Sequence, residues 1–293
     1  MDLIKQIFTD INNFVIGTNE KSICRPFLFI HMKTVILCGG YGTRIREVNE
    51  SLPKPMIPIG GHPILWHIMK YYAIYGYTDF VLCLGYKSEI IKNYFLNYGV
   101  VPADLTFTLG KGVPPLQYKQ TDETGWRITL AETGLNAMTG ARIKRIQKYI
   151  GEDDNFMLTY GDGVGNIDLD ALMEFHHSHG KIATVTGVHP PGRFGELTYN
   201  AQTKTVLGFN EKPQVSDGCI NGGFFVFRKE IFNYLTDQED LIFELNPIHQ
   251  LVRDSQLRVF EHDGFWQPMD TSRDYSLLNK MFEENKAPWI KWK

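Results

Sequence analysis

Hydrophobic and polar positions change their spacing regularly along the chain. Short runs rich in apolar and β-branched residues, which are typical of strands, occur at residues 34–38, 80–84, 156–160 and 183–188. Apolar positions at helical spacing predict helices near residues 64–75, 88–95 and 169–177, and mixed strands are expected at residues 206–209 and 223–227. Because strands and helices alternate in this order, the pattern predicts a doubly wound α/β fold.

Two segments depart from this alternation. Residues 1–31 carry apolar residues at helical spacing until Gly17, and they look separate from a main domain over residues 32–293. We expect them to be either an N-terminal extension or the product of an upstream start that is not used. The extension lacks the continuous apolar stretch of a secretory signal. Residues 100–140 are rich in Gly, Pro and Thr, and we expect them to form an insertion with two short strands, at residues 105–109 and 126–130.

The glycine-rich stretch after the first strand carries the strongest chemical signal in the chain. Gly39, Gly40 and Gly42 let the backbone bend and bring its N–H groups close to an anion. Arg44 and Lys54 add two positive charges that are suited to binding phosphate or a phosphoryl transition state. The spacing matches neither the GxGxxG dinucleotide fingerprint nor the GxxxxGK[ST] P-loop. The stretch therefore predicts a phosphate site of another class.

Composition agrees with a globular enzyme. With 293 residues, 43% of them hydrophobic, the chain can bury a large core without crosslinks or structural metals. A formal net charge of −3 gives no basic stripe for nucleic acid, and no apolar run is long enough to cross a bilayer. The four cysteines, Cys24, Cys38, Cys83 and Cys219, form no CxxC pair. We therefore expect a cytoplasmic protein that binds neither nucleic acid nor membranes.

An aspartate lies at the end of the third predicted strand. Asp162 follows the apolar run at residues 156–160 and is flanked by Gly161 and Gly163. Ligands of open α/β sheets bind beyond the carboxyl ends of the strands, so this carboxylate is expected to face a ligand crevice. A turn aspartate bonded to its own backbone is the alternative, and position alone favours it. These residues by themselves leave the role of Asp162 open.

The sequence GGYGTR followed by PKPM closely resembles the signature of the sugar-1-phosphate nucleotidylyltransferases. The resemblance runs from Met32 to the end of the chain, and it implies a Rossmann-like, mixed-sheet three-layer sandwich that forms the catalytic domain. The insertion at about residues 100–140 would then cover the nucleotide. The nucleotide-binding residues that the resemblance implies are Leu37, Cys38, Gly39, Gly40, Tyr41, Gly42, Thr43, Arg44, Lys54, Ala137, Arg142 and Gly161.

The same resemblance implies roles for charged residues elsewhere in the chain. Arg44, Lys54 and Lys212 would be the catalytic cations, acting on the triphosphate, on phosphate and on the sugar phosphate. Asp162 and Asp270 would share a divalent cation, and two carboxylates with phosphate oxygens suit Mg²⁺. The implied sugar-phosphate-binding residues are Glu211, Lys212, Asn221 and Gly222.

Residues 132–146 resemble the nucleotide-contacting segment of the cytidylyltransferase branch of this family. Arg142 is the expected contact to the base, and Ala137 stands where several relatives have serine. The resemblance implies attack by a glucose 1-phosphate oxygen on the α-phosphorus of CTP, which gives CDP-glucose and pyrophosphate. It also implies a homo-oligomer, with hexamers in the nearest branch, and a product that typically feeds O-antigen sugars of lipopolysaccharide.

Two other functions stay open at this point. One is a nucleotidylyltransferase of the same fold that prefers UTP, dTTP or another hexose 1-phosphate, because side-chain geometry decides the selectivity of the pocket. The other is a non-catalytic nucleotide-sugar sensor. The sensor is disfavoured because a degenerate module is expected to lose some of the charged residues named above, and all of them are present.

The remaining polar and aromatic clusters favour structural roles. Asp168 is expected to cap a helix. We expect His176, His177 and His179 to be solvated, since neighbouring helix positions point in different directions. The aromatic residues of the predicted helix at residues 64–75 and just after it are more typical of packing than of base stacking. They are Trp66, Tyr71, Tyr72, Tyr75 and Tyr77.

Overall fold

A computed structural model of the protein describes residues 32–45, 47–100, 121–189, 196–200, 202–210 and 218–292. The predicted N-terminal extension, residues 1–31, lies outside the described residues. The strands, in chain order, are β1 (Lys33–Leu37), β2 (Pro58–Ile59), β3 (His62–Pro63), β4 (Asp79–Leu84), β5 (Arg127–Glu132), β6 (Asn155–Tyr160), β7 (Gly163–Gly165), β8 (Ala183–Val188), β9 (Glu196–Tyr199), β10 (Val206–Asn210), β11 (Ile220–Arg228), β12 (Leu257–His262) and β13 (Trp266–Pro268). The α-helices are α1 (Ile64–Ala73), α2 (Ser88–Leu96), α3 (Thr139–Arg145), α4 (Gln147–Ile150), α5 (Leu169–His179), α6 (Asn246–Arg253) and α7 (Ser272–Glu283).

Seven of these strands form one mixed sheet in the order β12-β8-β11-β6-β1-β4-β5. Strand β11 is antiparallel to both of its neighbours, β6 and β8, whereas the other neighbouring pairs are parallel. Except for β11, the strands of the sheet therefore end at the same edge. The predicted α/β class with a mixed sheet is confirmed.

Helices pack against both faces of the sheet, and a hydrophobic core lies on each face. Alternate residues of a strand point to opposite faces, so Val35 and Leu37 of β1 pack in one core and Ile36 packs in the other. Helices α1, α2, α5 and α7 contribute to the core around Ile36, and α3, α4 and α6 contribute to the opposite core. This arrangement is the expected three-layer sandwich, with the strand ends left open for a site.

The predicted insertion needs a correction. The expected strand at residues 126–130 exists as β5, but it pairs in parallel with β4 and forms the edge of the central sheet. The alternating apolar and polar residues of this segment therefore belong to an edge strand of the central sheet and not to a separate β insertion. The expected strand at residues 105–109 lies outside the described residues.

The prediction that the histidines of α5 are solvated is wrong for His176. Its side chain is buried, with Nδ1 2.8 Å from the Thr184 hydroxyl and Nε2 3.3 Å from the Asn155 side-chain oxygen. Burial lowers the pKa of His176 to about 3, so the ring is neutral at physiological pH. His177 is exposed, as expected.

The other structural expectations hold. The Asp168 side chain accepts hydrogen bonds from the backbone N–H groups of Asp170 and Ala171, at 3.0 and 3.1 Å, and caps α5. Trp66, Tyr71 and Tyr72 are buried in the core under α1. None of the helices in the described part of the chain is both long enough and apolar enough to span a membrane.

Candidate active site

A cavity of about 340 Å³ opens beyond the carboxyl ends of β1 and β6. The chain runs from β1 to β4 and β5 on one side, and only then places β6 on the other side of β1. Such a switch in strand order leaves a crevice in which α/β proteins bind ligands. The predicted nucleotide-binding residues whose side chains the structure describes all line this cavity. The backbone of Arg44 lies in the short helical turn Thr43–Ile45, and its side chain lies outside the described part of the structure. The structure therefore brings together residues that are far apart in the sequence.

The glycine-rich loop forms one wall of the cavity. Gly42 has a φ of 59°, a left-handed conformation that favours glycine, and a side chain at this position would contact the Cβ of Lys54 at 3.0 Å. A side chain at Gly40 would meet open space. The hydroxyl of Tyr41 donates a hydrogen bond to the Asn136 side-chain oxygen at 2.7 Å, which links the loop to the opposite wall. Close packing at Gly42 and the hydrogen bond of Tyr41 therefore both restrict the conformation of the loop.

Gly161 closes the floor of the cavity. Its backbone N–H donates to the Leu37 carbonyl at 3.0 Å, and a Cβ at this position would lie only 2.8 Å from that oxygen. The thiol of Cys38 lies beside it and is buried, and burial raises its pKa well above the ordinary value. Cys38 is therefore a neutral packing residue and not a nucleophile.

Lys54 and the two predicted metal-binding aspartates meet at the end of the cavity. The ammonium of Lys54 donates to Asp162 Oδ2 at 2.6 Å and also to Asp270 Oδ1. Burial disfavours the charged ammonium, but the two carboxylates outweigh burial and raise the pKa of Lys54. The lysine is therefore charged throughout the physiological pH range.

A short antiparallel pairing brings the two aspartates together across more than a hundred residues of sequence. Strands β7 and β13 pair with Gly163 opposite Pro268, and the Met269 N–H donates to the Asp162 carbonyl at 2.8 Å. Asp162 immediately precedes β7, and Asp270 follows β13 by two residues. The pairing thus places both carboxylates beside the ammonium of Lys54, and their expected role as metal ligands stays a prediction.

The donor set fits a hard divalent cation. Two carboxylate oxygens converge on a single point that a positive group already occupies, and hard cations such as Mg²⁺ take oxygen ligands. Among the residues that the structure describes, no group of three or more His, Cys, Asp or Glu side chains could hold a metal ion. Oxygen atoms of a bound phosphate, of water or of backbone carbonyls could complete the set of ligands.

Arg142 lines the cavity, but its hydrogen bonds go to other parts of the protein. Its Nη1 donates to the Leu84 carbonyl, the Thr133 hydroxyl and the Gly134 carbonyl, each at 2.8 Å. Its Nη2 donates to the Gly39 carbonyl at 3.0 Å and to the Leu135 carbonyl at 3.3 Å. The guanidinium thus connects the glycine-rich loop to the ends of β4 and β5. The expected contact of Arg142 with a base stays a prediction.

Glycine at two positions makes room for this guanidinium. A side chain at Gly39 would overlap the Arg142 guanidinium, and a Cβ at Gly85 would lie 2.5 Å from its Nη1. Burial lowers the pKa of Arg142, although an arginine remains charged in proteins. The first glycine of the loop therefore serves an internal cation as well as an expected phosphate.

The predicted sugar-phosphate residues are described only in part. Asn221 is exposed, and its Nδ2 donates to the Tyr160 hydroxyl at 3.3 Å. Gly222 is buried and its carbonyl accepts from the Trp266 indole N–H at 2.7 Å. Glu211 and Lys212 lie outside the described residues, and so do their predicted contacts.

Glu244 was not predicted from the sequence. Its carboxylate accepts hydrogen bonds from the hydroxyls of Tyr160 and Thr139, which both line the cavity. Glu244 belongs to no motif, and its two partners are 84 and 105 residues away in the chain. No local signal could have found it.

Comparison with known proteins shows which family has this site. The Nucleotidyl transferase family matches residues 33–284. Glucose-1-phosphate cytidylyltransferase of Salmonella typhi is 46% identical over 261 residues, which cover 89% of this chain and all of that protein. The probable glucose-1-phosphate cytidylyltransferase of Bacillus subtilis (strain 168) is 46% identical over 262 residues, with the same coverage.

Solved structures share the fold. The crystal structure of HddC from Yersinia pseudotuberculosis has a TM-score of 0.60 and 24% sequence identity, and the match covers 86% of this chain and 99% of that one. At this level of identity the likeness concerns the fold alone. The family match and the sequence identities confirm the family that was predicted from the glycine-rich loop. Enzymes of this family generally use a divalent metal ion. The chain belongs to the nucleotidyl transferase family.

Proposed function

We propose that the protein transfers the cytidylyl group of CTP to glucose 1-phosphate, releasing pyrophosphate and forming CDP-glucose. The observation that supports this proposal most strongly is the meeting of Lys54, Asp162 and Asp270 at the end of a cavity walled by the glycine-rich loop. Relatives that are 46% identical over their whole length carry the name glucose-1-phosphate cytidylyltransferase, which supports both substrates.

The nucleophile in this reaction needs no general base. The phosphate of glucose 1-phosphate is already ionised at neutral pH, so the protein has to align two anions and offset their repulsion. The glycine-rich loop offers backbone N–H groups to the triphosphate, and Arg44 follows that loop directly. Lys54 is a compact ammonium on a flexible stem, and it can turn from the aspartates to a phosphate oxygen without leaving the cavity.

Asp162 and Asp270 would hold Mg²⁺ at the point where their oxygens converge. A bound Mg²⁺ would neutralise the negative charge of the triphosphate during phosphoryl transfer. Because the pairing of β7 with β13 fixes the backbones of Asp162 and Asp270, the positive charge of the bound cation would face the cavity. Lys212 would contact the sugar phosphate, as the resemblance implies.

Selection of the base rests mainly on backbone groups. Ala137 presents only a methyl group to the cavity, and the described donors of Arg142 are bonded to protein oxygens. Cytosine differs from uracil by a 4-amino donor, which a backbone carbonyl in the cavity wall can accept. The assignment of CTP is supported by the names of the 46% identical relatives, and UTP and dTTP are the nucleotides to compare with it.

The location and assembly of the protein belong to the proposal as well. The described cysteines, Cys38, Cys83 and Cys219, are free thiols, which supports a reducing cytoplasm. The homo-oligomer that the resemblance implies stays a prediction.

Pyrophosphate release tests the proposed reaction. The purified protein is assayed with Mg²⁺, glucose 1-phosphate and each of CTP, UTP, dTTP, ATP and GTP, and the product is identified by mass spectrometry. We expect CTP to give the highest kcat/KM and CDP-glucose to be the product. Preference for another nucleotide would contradict the assignment of CTP, and absence of pyrophosphate release with all five nucleotides would contradict the proposed activity.

A further inference from the structure

Glu244 holds one wall of the cavity from behind. It is not itself among the residues that line the cavity. Its Oε1 accepts a hydrogen bond from the Tyr160 hydroxyl at 2.5 Å, and its Oε2 accepts one from the Thr139 hydroxyl at 2.6 Å. The Thr139 hydroxyl oxygen also accepts the backbone N–H of Phe243 at 2.9 Å. The carboxylate is therefore anchored to the start of α3 on one side and directed towards Tyr160 on the other.

A series of hydrogen bonds links Glu244 through Tyr160 to Asn221, and each bond in it has only one possible donor. An ionised carboxylate only accepts, so the Tyr160 O–H must donate to Glu244. The lone pairs of the Tyr160 oxygen are then left for Asn221, whose Nδ2 donates to it at 3.3 Å. At the far end the Gly223 backbone N–H donates to Asn221 Oδ1 at 2.8 Å, which requires the same orientation of the amide.

Packing fixes the ring of Tyr160, whose hydroxyl links Glu244 to Asn221. Gly223 has a φ of 78°, and a side chain there would overlap the ring of Tyr160. The ring of Phe225 packs edge-on at 6.1 Å from that of Tyr160. Burial and the neighbouring charge of Glu244 raise the pKa of Tyr160, so its hydroxyl keeps its proton. The amide of Asn221 therefore has one Nδ2–H left over, on an exposed side chain at the edge of the site.

We propose that Glu244 is a positioning residue for the sugar phosphate: through Tyr160 it fixes the amide of Asn221 so that an N–H donor faces the substrate. The group recognised would be a hydrogen-bond acceptor, which is a hydroxyl or phosphate oxygen of the sugar phosphate. The inference rests on the proposed function, because it needs Asn221 to lie beside the bound sugar phosphate.

Steady-state kinetics of Glu244→Gln tests the inference. Glutamine has nearly the same size, but its amide can rotate and donate a hydrogen bond, so the donor and acceptor roles of Tyr160 and Asn221 are no longer fixed. We expect the KM for glucose 1-phosphate to rise about ten-fold, which corresponds to about 1.4 kcal/mol, while the KM for the nucleotide rises less than about three-fold. Tyr160→Phe keeps the ring and removes the link, and it should give the same rise. Glu239→Gln is the matched control, because Glu239 is an exposed acid in the same segment between β11 and α6, and it should leave both KM values unchanged.

A double-mutant cycle separates positioning from a general structural role. Asn221→Ala should raise the KM for the sugar phosphate in the wild-type background but add less than about three-fold to it in the Glu244→Gln background. Additive effects, or an unchanged sugar-phosphate KM in Glu244→Gln, would overturn the inference even if the variant were less stable. The measurements use whichever nucleotide the wild type accepts, so a wrong nucleotide assignment would appear in the wild type alone.

Discussion

Two buried cations line the same cavity in opposite environments. Lys54 donates to two carboxylates, whereas every acceptor described for the Arg142 guanidinium is a neutral oxygen of a carbonyl or hydroxyl group. The Lys54 ammonium can exchange its carboxylate partners for a phosphate, and the two carboxylates can exchange the ammonium for a metal ion. The backbone carbonyls bonded to Arg142 are fixed by the fold, so Arg142 has no such exchange. We therefore predict that Lys54 takes part in binding and chemistry, whereas the described hydrogen bonds of Arg142 hold the glycine-rich loop to the ends of β4 and β5.

The largest effect is expected from the aspartates that face Lys54. Asp162→Asn or Asp270→Asn removes one of the two carboxylates of the proposed cation site, and we expect kcat to fall by at least about 100-fold. The unfolding temperature should change little, because each asparagine keeps the shape of the side chain. Asp240→Asn, an exposed residue, is the control for the change of charge. Wild-type turnover in either site variant would show that the two acids do not share a catalytic cation.

A stability loss is expected from Arg142→Lys. Lysine keeps the charge but not the planar fork, so several of the oxygens bonded to Arg142 would lose their donor. A buried polar group without its partner costs about 1–3 kcal/mol, and we expect the free energy of unfolding to fall by about 3 kcal/mol in chemical denaturation. Arg253→Lys, on the exposed side of α6, should change it by less than about 0.5 kcal/mol. Equal effects of the two substitutions would mean that Arg142 does not hold the loop.

The two neighbouring glycines of the loop provide a smaller and more specific test. Gly39→Ala would force the Arg142 guanidinium aside, whereas the added methyl of Gly40→Ala would meet open space. We expect Gly39→Ala to cost about 1–3 kcal/mol of unfolding free energy, and Gly40→Ala to cost clearly less. Similar losses at both positions would contradict the close approach of Gly39 to Arg142.

The elements with strong hydrophobic patterns could be predicted from the sequence. Strand β8 has the predicted bounds, and α1 and α5 differ from the predicted helices by no more than two residues at either end. The C-terminal elements α6, β12 and α7 were not predicted. Strand β12 lies at the edge of the sheet and is only partly buried, so its apolar pattern is weak.

The site could be predicted where a residue follows directly on a strand or belongs to a motif. Gly39 and Asp162 each follow the carboxyl end of a strand, and the fold places such positions together. The bonding of Arg142 and the role of Glu244 could not be predicted, because they depend on contacts between residues far apart in sequence. The burial of His176 was missed for a related reason, since Thr184 and Asn155 come from separate strands.

We propose that Asp162 and Asp270 form one cation site, in which the ammonium of Lys54 lies where a divalent metal ion would bind. Titration with Mn²⁺, followed by electron paramagnetic resonance, tests this claim directly in wild type, Lys54→Met and Lys54→Met/Asp270→Asn. Removing the competing ammonium should tighten Mn²⁺ binding by about ten-fold or more, and removing Asp270 in addition should abolish the gain. Unchanged Mn²⁺ affinity in Lys54→Met, or a gain that survives the loss of Asp270, would contradict the claim.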